Sequence, residues 1–101
     1  MKSVTDNPTA NPTANPGENP YDAVPYQSFP YATTRPANLH TVGTLFGISA
    51  PDFRTARVLE LGCAEGGNII PLAFQYPDGH YTGLDYSERQ IEAANGAVSA
   101  L

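Results

Sequence analysis

Apolar residues are spread unevenly along the chain, and their spacing predicts two short strands and three helices after residue 33. Residues 57–61 are nearly all apolar and end at Gly62, a pattern typical of a short buried strand. Residues 81–85 form a second run of this kind. Elsewhere the apolar positions recur every three to four residues, as they do along one side of a helix. The predicted helices cover 34–46, 68–76 and 87–101.

Polar residues mark where these helices are expected to begin. Thr33 or Thr34 is a candidate N-cap of the first helix, and Asn68 is a candidate N-cap of the second. Ser87 opens the third helix, with Gln90 in the position that completes a capping box. The faces expected to be buried are Leu39, Val42, Leu45 and Phe46 in the first helix, and Ile91, Ala94, Val98 and Leu101 in the third.

The order of these elements predicts the fold class. Strand, glycine-rich turn, helix, turn, strand and helix make one βαβ unit with a right-handed crossover, followed by the helix of the next unit. We therefore predict an α/β fold built on a parallel sheet. Two parallel strands leave the sheet edges open and one face uncovered, so the sequence is expected to hold only the N-terminal half of a domain.

The residues before the first strand are expected to form two further regions. Asn-Pro pairs recur every four residues from Asn7 to Pro20, and residues 1–18 are too polar to enter a core, so we predict a disordered tail there. Residues 19–56 combine an arm rich in aromatic residues and proline with the first helix. Residues 57–101 then hold the βαβ unit.

Composition narrows the classes of function. The net charge is −5 and the basic residues are scattered, which argues against nucleic acid as a partner. The single cysteine excludes an internal disulfide and fits a reducing compartment such as the cytoplasm. No apolar run approaches the roughly 18 residues of a membrane span, so no membrane partner is expected. We expect no bound metal either, because His40 and His80 do not have ligand spacing.

The turn after the first strand carries the most informative chemistry. Gly62 and Gly66 allow sharp backbone angles, and Ala64 leaves room for a ligand to approach the backbone. A helix that starts at this turn offers free amides and a positive dipole to an anionic group. Several nucleotide sites share these features, and the spacing also resembles a dinucleotide fingerprint with alanine at its second glycine.

Two acidic residues help to separate the alternatives. Glu60 lies inside the first strand, where burial of a carboxylate is costly unless the charge is used. An acid there would repel a pyrophosphate, but it suits the sulfonium and α-ammonium groups of S-adenosylmethionine. Asp85 ends the second strand, where an acid commonly accepts the hydroxyls of a ribose. Alternatively, Glu60 lies at the exposed end of an edge strand, and Asp85 is a turn or cap residue before Ser87.

Other side chains near the turn have weaker claims to a role. Cys63 fits a small packing residue better than a nucleophile, because no histidine is placed to activate it. Tyr21, Tyr26 and Tyr31 form either a lid over the cofactor or an arm packed on another part of the protein. No residue stands out as a catalytic base.

Residues 60–66, Glu-Leu-Gly-Cys-Ala-Glu-Gly, resemble motif I of the class I S-adenosylmethionine-dependent methyltransferases, whose usual form is Glu/Asp-x-Gly-x-Gly-x-Gly. Ala64 replaces the middle glycine of that motif. Residues 83–87 resemble the second motif, with Asp85 at the ribose-binding position. The chain is also similar to a bacterial group that couples this domain to a methyltransferase regulatory domain and includes protein-lysine methyltransferases of rickettsiae. That similarity lies in residues 19–22, 24–26, 29–31, 34–36, 45–47 and 66–68.

The resemblance implies a truncated Rossmann-like methyltransferase fold that binds S-adenosylmethionine and transfers its methyl group to an unidentified acceptor, with a protein lysine as one candidate. The expected cofactor-binding residues are Glu60, Gly62, Cys63, Ala64, Gly66, Asp85, Tyr86 and Tyr26. The family's sheet has seven strands, so this chain alone is expected to be inactive. Two alternative hypotheses remain: an NAD(P)-binding fragment of an oxidoreductase, and a non-catalytic remnant or interaction module.

Overall fold

The computed structural model describes residues 17–101 and confirms the predicted α/β class. Residues 1–16, which hold most of the predicted tail, lie outside the described residues. A single 3-10 turn covers Ala32–Thr34. The helices and strands are α1 Pro20–Ala23, α2 Pro36–Leu45, β1 Arg57–Leu61, α3 Ile69–Gln75, β2 His80–Leu84 and α4 Glu88–Ser99. No helix among these residues is long and apolar enough to cross a membrane.

The two strands pair in parallel, as the βαβ pattern predicts. Their register runs from Arg57 opposite His80 to Leu61 opposite Leu84, and α3 forms the crossover between them. The small apolar core lies between the sheet, the turn after β1 and α3. Its buried members are Ala56, Cys63, Ala64, Ile69 and Leu72.

Only one face of the sheet is covered by the described residues. Along β1, half-buried and exposed side chains alternate, and Leu59 and Leu61 are 60% and 73% exposed. Leu84 of β2 is also exposed. The prediction of a fully buried first strand was therefore wrong, because an apolar run shows that a strand can be buried on both sides but not that both sides are covered.

Helix α2 begins later than predicted and packs through a different side. Thr33 and Thr34 form the 3-10 turn instead of a cap, and Pro36 occupies the first helical turn, where its fixed φ favours the start of a helix. All four side chains of the predicted apolar face are more than half exposed. Helical spacing places side chains on one face, but it does not supply a surface to cover them. The helix is held instead by edge-on ring contacts from His40 to Phe53 and from Phe53 to Tyr76.

Helix α4 begins as predicted but is covered over only part of its length. Ser87 Oγ accepts a hydrogen bond from the Gln90 amide at 3.2 Å, which confirms the N-cap. The reciprocal half of the capping box is missing, because Gln90 turns its side-chain amide to the Tyr26 carbonyl oxygen. On the apolar face, Ile91 is half-buried, as is Ala94 one turn later. Val98 and Leu101, which were expected to be buried, are exposed.

Candidate cofactor site

An open cleft lies where the two parallel strands end, the position at which α/β sheets commonly bind ligands. Its volume of about 660 Å³ is within the range of small-molecule sites. The lining residues are Tyr21, Tyr26, Leu61, Gly62, Ala64, Leu84, Asp85, Tyr86 and Gln90. Five of the eight predicted cofactor residues are among them, and Glu60, Cys63 and Gly66 are not.

The turn after β1 has an unusual backbone. Gly62, Ala64 and Gly66 all adopt left-handed conformations, with φ of 73°, 49° and 83°. This conformation costs an alanine roughly 1–2 kcal/mol, whereas glycine adopts it freely. The glycine that motif I usually carries at the position of Ala64 is therefore explained by backbone conformation as well as by ligand access. Two amides after β1 secure the turn, because Gly62 N and Cys63 N both donate to the Leu84 carbonyl oxygen, at 2.7 and 3.0 Å.

Asp85 joins the two turns that form the floor of the cleft. Its Oδ2 accepts a hydrogen bond from Ala64 N at 2.7 Å, and its Oδ1 accepts one from Ser87 N at 2.9 Å. The role of a turn residue, one of the two alternatives for Asp85, is thus present in the structure. Each carboxylate oxygen retains further acceptor capacity, and the half-buried side chain lines the cleft. Asp85 therefore still has room to accept hydroxyl donors.

Glu60 lies outside the cleft. Its neighbour Leu61 lines the cleft, while the Glu60 side chain lies on the opposite side of β1, since side chains alternate along a strand. Glu60 Oε1 accepts a hydrogen bond from Asn68 Nδ2 at 2.8 Å. Its Oε2 is buried and has no hydrogen-bond partner among the described residues. Glu60 is half-buried and not exposed, and one buried acceptor is left available for a donor.

Asn68 is a buried residue beside the cleft turn whose contacts sequence reasoning missed. It was predicted to cap α3, but its side chain makes no capping hydrogen bond. The side chain is 5% exposed and lies between Glu60 and the arm, where Oδ1 accepts from Tyr31 N at 2.8 Å. Nδ2 also approaches Thr34 Oγ1 at 3.1 Å. An asparagine directly before a helix is predicted to be an N-cap. Only the folded structure shows that its side chain bonds Glu60 and Tyr31 instead.

Residues 19–34, which we call the strap, are hydrogen-bonded to the segments that follow both strands. At the start of α3, Gly67 N donates to Ser28 Oγ at 2.8 Å. After β2, three hydrogen bonds join Asn19 to Tyr86, Asp22 to Ser87 and Tyr26 to Gln90. The strap is therefore secured on both sides of the cleft, and Pro20–Ala23 forms a short helix within the predicted arm.

Tyrosine side chains form one wall of the cleft. The Tyr21 ring lies 5.8 Å from that of Tyr26 and meets the ring of Tyr86 edge-on at 6.2 Å. Such separations suit attractive aromatic pairs. Tyr31 does not line the cleft, and its backbone amide donates to Asn68 Oδ1. The strap thus brings two of the three predicted lid tyrosines to the site.

Cys63 and Gly66 serve the packing beneath the cleft. Cys63 is 4% exposed, and burial, followed by the nearby charges of Asp85 and Glu60, raises the pKa of its thiol. A neutral thiol is a poor nucleophile, which agrees with a packing role. A side chain at Gly83 would lie 2.7 Å from Cys63 Sγ, and one at Gly66 would lie 2.5 Å from Ile70 Cδ1. Within residues 17–101, no cluster of histidine, cysteine and acidic residues could hold a metal ion.

Comparison with known proteins agrees with this geometry. A family model described as a methyltransferase domain matches residues 52–100. Protein RP789 of Rickettsia prowazekii (strain Madrid E) is 57% identical over 81 residues, which are 80% of this chain and 15% of that protein. Protein RP028 of the same organism is 40% identical over 79 residues, 78% of this chain and 32% of that protein. The chain therefore spans less than a third of the length of either relative.

Two solved structures have the same fold over most of the chain. PKMT2 from Rickettsia typhi, in complex with AdoHcy, superposes with a TM-score of 0.69 and is 39% identical in sequence. The matched region is 75% of this chain and 15% of the PKMT2 chain. A second structure of PKMT2 gives a TM-score of 0.70 at the same identity and coverage. Motif I, the parallel βαβ unit and these matches lead to one conclusion: the chain has part of a Rossmann-like methyltransferase fold and is similar to the class I S-adenosylmethionine-dependent methyltransferases.

Proposed function

We propose that the cleft is the cofactor half-site of a methyltransferase that transfers a methyl group from S-adenosylmethionine to an acceptor, with a protein lysine as that acceptor. The observation that carries the proposal is Asp85, which lies in the cleft between two strand ends and has acceptor capacity left over. That PKMT2, 39% identical to this chain, was solved in complex with AdoHcy supports the same cofactor class here.

The residues present fit such a cofactor. Asp85 would accept the ribose hydroxyls, and the exposed face of Tyr86 or Tyr26 would receive the adenine ring. Gly62 and Ala64 would let the ligand approach the backbone. Bound S-adenosylmethionine supplies a methyl group on a sulfonium centre, which an in-line nucleophile displaces. The chain's own contribution is to bind and orient this donor.

Two further observations support the rest of the proposal. The net charge of −5 favours the approach of a basic segment, and the resemblance to protein-lysine methyltransferases indicates lysine as the reacting side chain. A reducing cytoplasm suits the lone, buried Cys63. The oxidoreductase hypothesis is less well supported, because the family model and the solved structures all point to methyltransferases.

The cofactor proposal is tested by calorimetric titration of the chain with S-adenosylhomocysteine, with NAD as the control ligand. We expect selective binding that Asp85→Asn weakens at least about ten-fold, because hydrogen bonds to a carboxylate are the strong ones. Asp78→Asn is the matched control, since Asp78 is an exposed residue of the turn before β2. Equal binding of NAD, or no effect of Asp85→Asn in a folded protein, would contradict the proposal.

The acceptor is tested separately with S-adenosylmethionine carrying a labelled methyl group. Label in a lysine-rich protein, lost when its lysines are acetylated beforehand, supports lysine as the acceptor. Label that survives acetylation points to another side chain. Absence of label in both samples would limit the proposal for this chain to cofactor binding.

A further inference from the structure

We propose that Asn68 is a positioning residue for the cofactor: it orients the Glu60 carboxylate and connects it to the strap, so that the free Glu60 oxygen meets the amino-acid end of the ligand. The inference rests on the proposed function, and it concerns a residue that lies outside the cleft. Asn68 is not a catalytic residue, because its contacts are with Glu60 and the strap.

The Asn68 side chain uses both ends of its amide. Nδ2 donates to Glu60 Oε1 at 2.8 Å, and Oδ1 accepts from Tyr31 N at 2.8 Å. Thr34 Oγ1 lies within hydrogen-bond distance of both ends, at 3.1 Å from Nδ2 and 3.2 Å from Oδ1. Asn68 itself is 5% exposed, while its partner Glu60 is half-buried. The hydrogen bond from Asn68 therefore helps to orient the Glu60 carboxylate.

Only an amide satisfies this arrangement. The Glu60 carboxylate requires a donor, whereas the Tyr31 amide requires an acceptor, and asparagine supplies one of each. Aspartate has nearly the same shape but no donor, and it would place a second negative charge beside Glu60. Such like charges disfavour each other strongly when they are shielded from water.

The remaining Glu60 oxygen gives the arrangement a purpose. Oε2 is buried and has no partner among the described residues, an expensive state for a carboxylate oxygen. Glu60 lies two residues before Gly62, which lines the cleft. To satisfy Oε2, an ammonium group of a ligand in the cleft would have to extend past the Gly62 turn, because Glu60 lies on the other side of β1. Asn68 holds the first oxygen in place so that the second is available.

A pair of ligands separates positioning from simple structural support. S-adenosylhomocysteine carries the amino-acid end, and 5′-methylthioadenosine lacks it. We expect Asn68→Asp to lower the affinity for S-adenosylhomocysteine at least about ten-fold and the affinity for 5′-methylthioadenosine by less than about two-fold. The matched control is Asn38→Asp, because Asn38 Nδ2 also donates to the strap, at the Ala32 carbonyl oxygen, but Asn38 makes no hydrogen bond to Glu60. It should leave both affinities unchanged.

Three results would overturn the inference. An equal loss of affinity for both ligands in Asn68→Asp shows that Asn68 only supports the fold. Unchanged affinity for both ligands shows that Asn68 plays no part in binding. If the unsubstituted chain binds neither ligand, the proposed function itself fails. When the unsubstituted chain binds S-adenosylhomocysteine and Asn68→Asp shows no ligand-selective loss, the positioning role alone is wrong.

A second variant keeps the test decisive if Asn68→Asp unfolds the chain. Combining it with Glu60→Gln exchanges donor and acceptor, so that the residue at 60 donates and the residue at 68 accepts. The hydrogen bonds of the residue at 68 to the residue at 60 and to the Tyr31 amide are then retained, whereas the contact with Thr34 loses its amide donor. We expect the melting temperature to rise from that of the single variant toward that of the unsubstituted chain. The affinity for S-adenosylhomocysteine should stay low, because the acid has moved away from position 60. A double variant that melts no higher than the single one would contradict the pairing of Asn68 with Glu60.

Discussion

The two faces of the sheet differ in the kind of residue that joins them to the rest of the chain. On the strap side, buried polar groups join distant segments, with Ser87 fully buried and Asn68 nearly so. On the opposite side, Leu59, Leu61 and Leu84 present apolar side chains that the described residues leave exposed. The contacts between distant segments are thus made by polar residues, and the residues most typical of a core are the ones left uncovered.

This difference shows what each kind of residue specifies. Apolar burial is non-directional, so a leucine on a strand is compatible with any surface that covers it. A hydrogen bond fixes both partners and their orientation, and a buried one is costly to break. The polar contacts therefore determine where the strap lies, whereas the apolar face determines only that burial there would be favourable.

The largest expected effect comes from the covered side of the sheet. Leu72 is 7% exposed, and Leu72→Ala should lower the free energy of unfolding by about 2–5 kcal/mol, because it leaves a cavity in the core. Leu59→Ala on the uncovered side should cost less than about 1 kcal/mol. Chemical denaturation measures both, and similar losses would show that the two faces are equally covered.

Moving the strap should have the next largest effect. A side chain at Gly67 would lie 2.5 Å from the Ser28 carbonyl oxygen, so Gly67→Ala must displace strap backbone and should cost about 1–3 kcal/mol. Hydrogen exchange at the Tyr31 amide should quicken at the same time. Gly96→Ala, in open space on α4, is the control and should stabilise by about 0.5–1 kcal/mol. Unchanged exchange in the Gly67 variant would mean that the strap does not lie against the turn.

Removing one buried hydroxyl should have an intermediate effect. Ser87 caps α4 and donates to Asp22 of the strap, so Ser87→Ala should destabilise by about 1 kcal/mol or somewhat more. Ser99, which bonds the Asn95 carbonyl oxygen within the same helix and is exposed, provides the control. Ser99→Ala should change stability by less than about 0.5 kcal/mol. Thermal and chemical denaturation should rank the two variants in this order.

A smaller effect of opposite sign is expected in the glycine turn. Ala64 has a φ of 49°, so Ala64→Gly should stabilise by about 0.5 kcal/mol, the relief of left-handed strain less the added entropy of the unfolded chain. The same change at Ala97, within α4, should destabilise by roughly 1 kcal/mol. Loss of stability in both variants would contradict the strain argument.

The smallest effect is a dependence on alkaline pH. Burial and nearby carboxylates raise the pKa of the Cys63 thiol above its ordinary value of 9.0, so the unfolded chain loses this proton first. Stability should therefore decline as pH rises above about 9, and Cys63→Ala should flatten that decline. The raised pKa of Tyr81, caused by burial and by Tyr76, adds a similar decline that begins above 10. Melting temperatures between pH 7 and 11 would show a flat profile if neither group titrates abnormally.

Much of the fold and part of the site were predictable from local signals. The order of strands and helices, the glycine turn and the N-cap at Ser87 followed from short sequence patterns, because those features depend on neighbouring residues. The same signals placed Asp85 and Tyr86 at the cleft. They did not show that Glu60 lies outside the cleft. Side-chain alternation along β1 puts Glu60 and Leu61 on opposite sides of the strand, but only the folded structure shows that the cleft lies on the side of Leu61.

Asn68 and Ser87 show where the limit lies. Both are small polar residues directly before a helix, and the sequence by itself determined that each was suited to be a cap. Ser87 is one, but Asn68 gives its amide to Glu60 and to Tyr31, which is 37 residues away in the chain. Local sequence determines which hydrogen bonds a side chain can make. Only the tertiary structure decides which of them it makes, because the competing partners are brought within reach by folding.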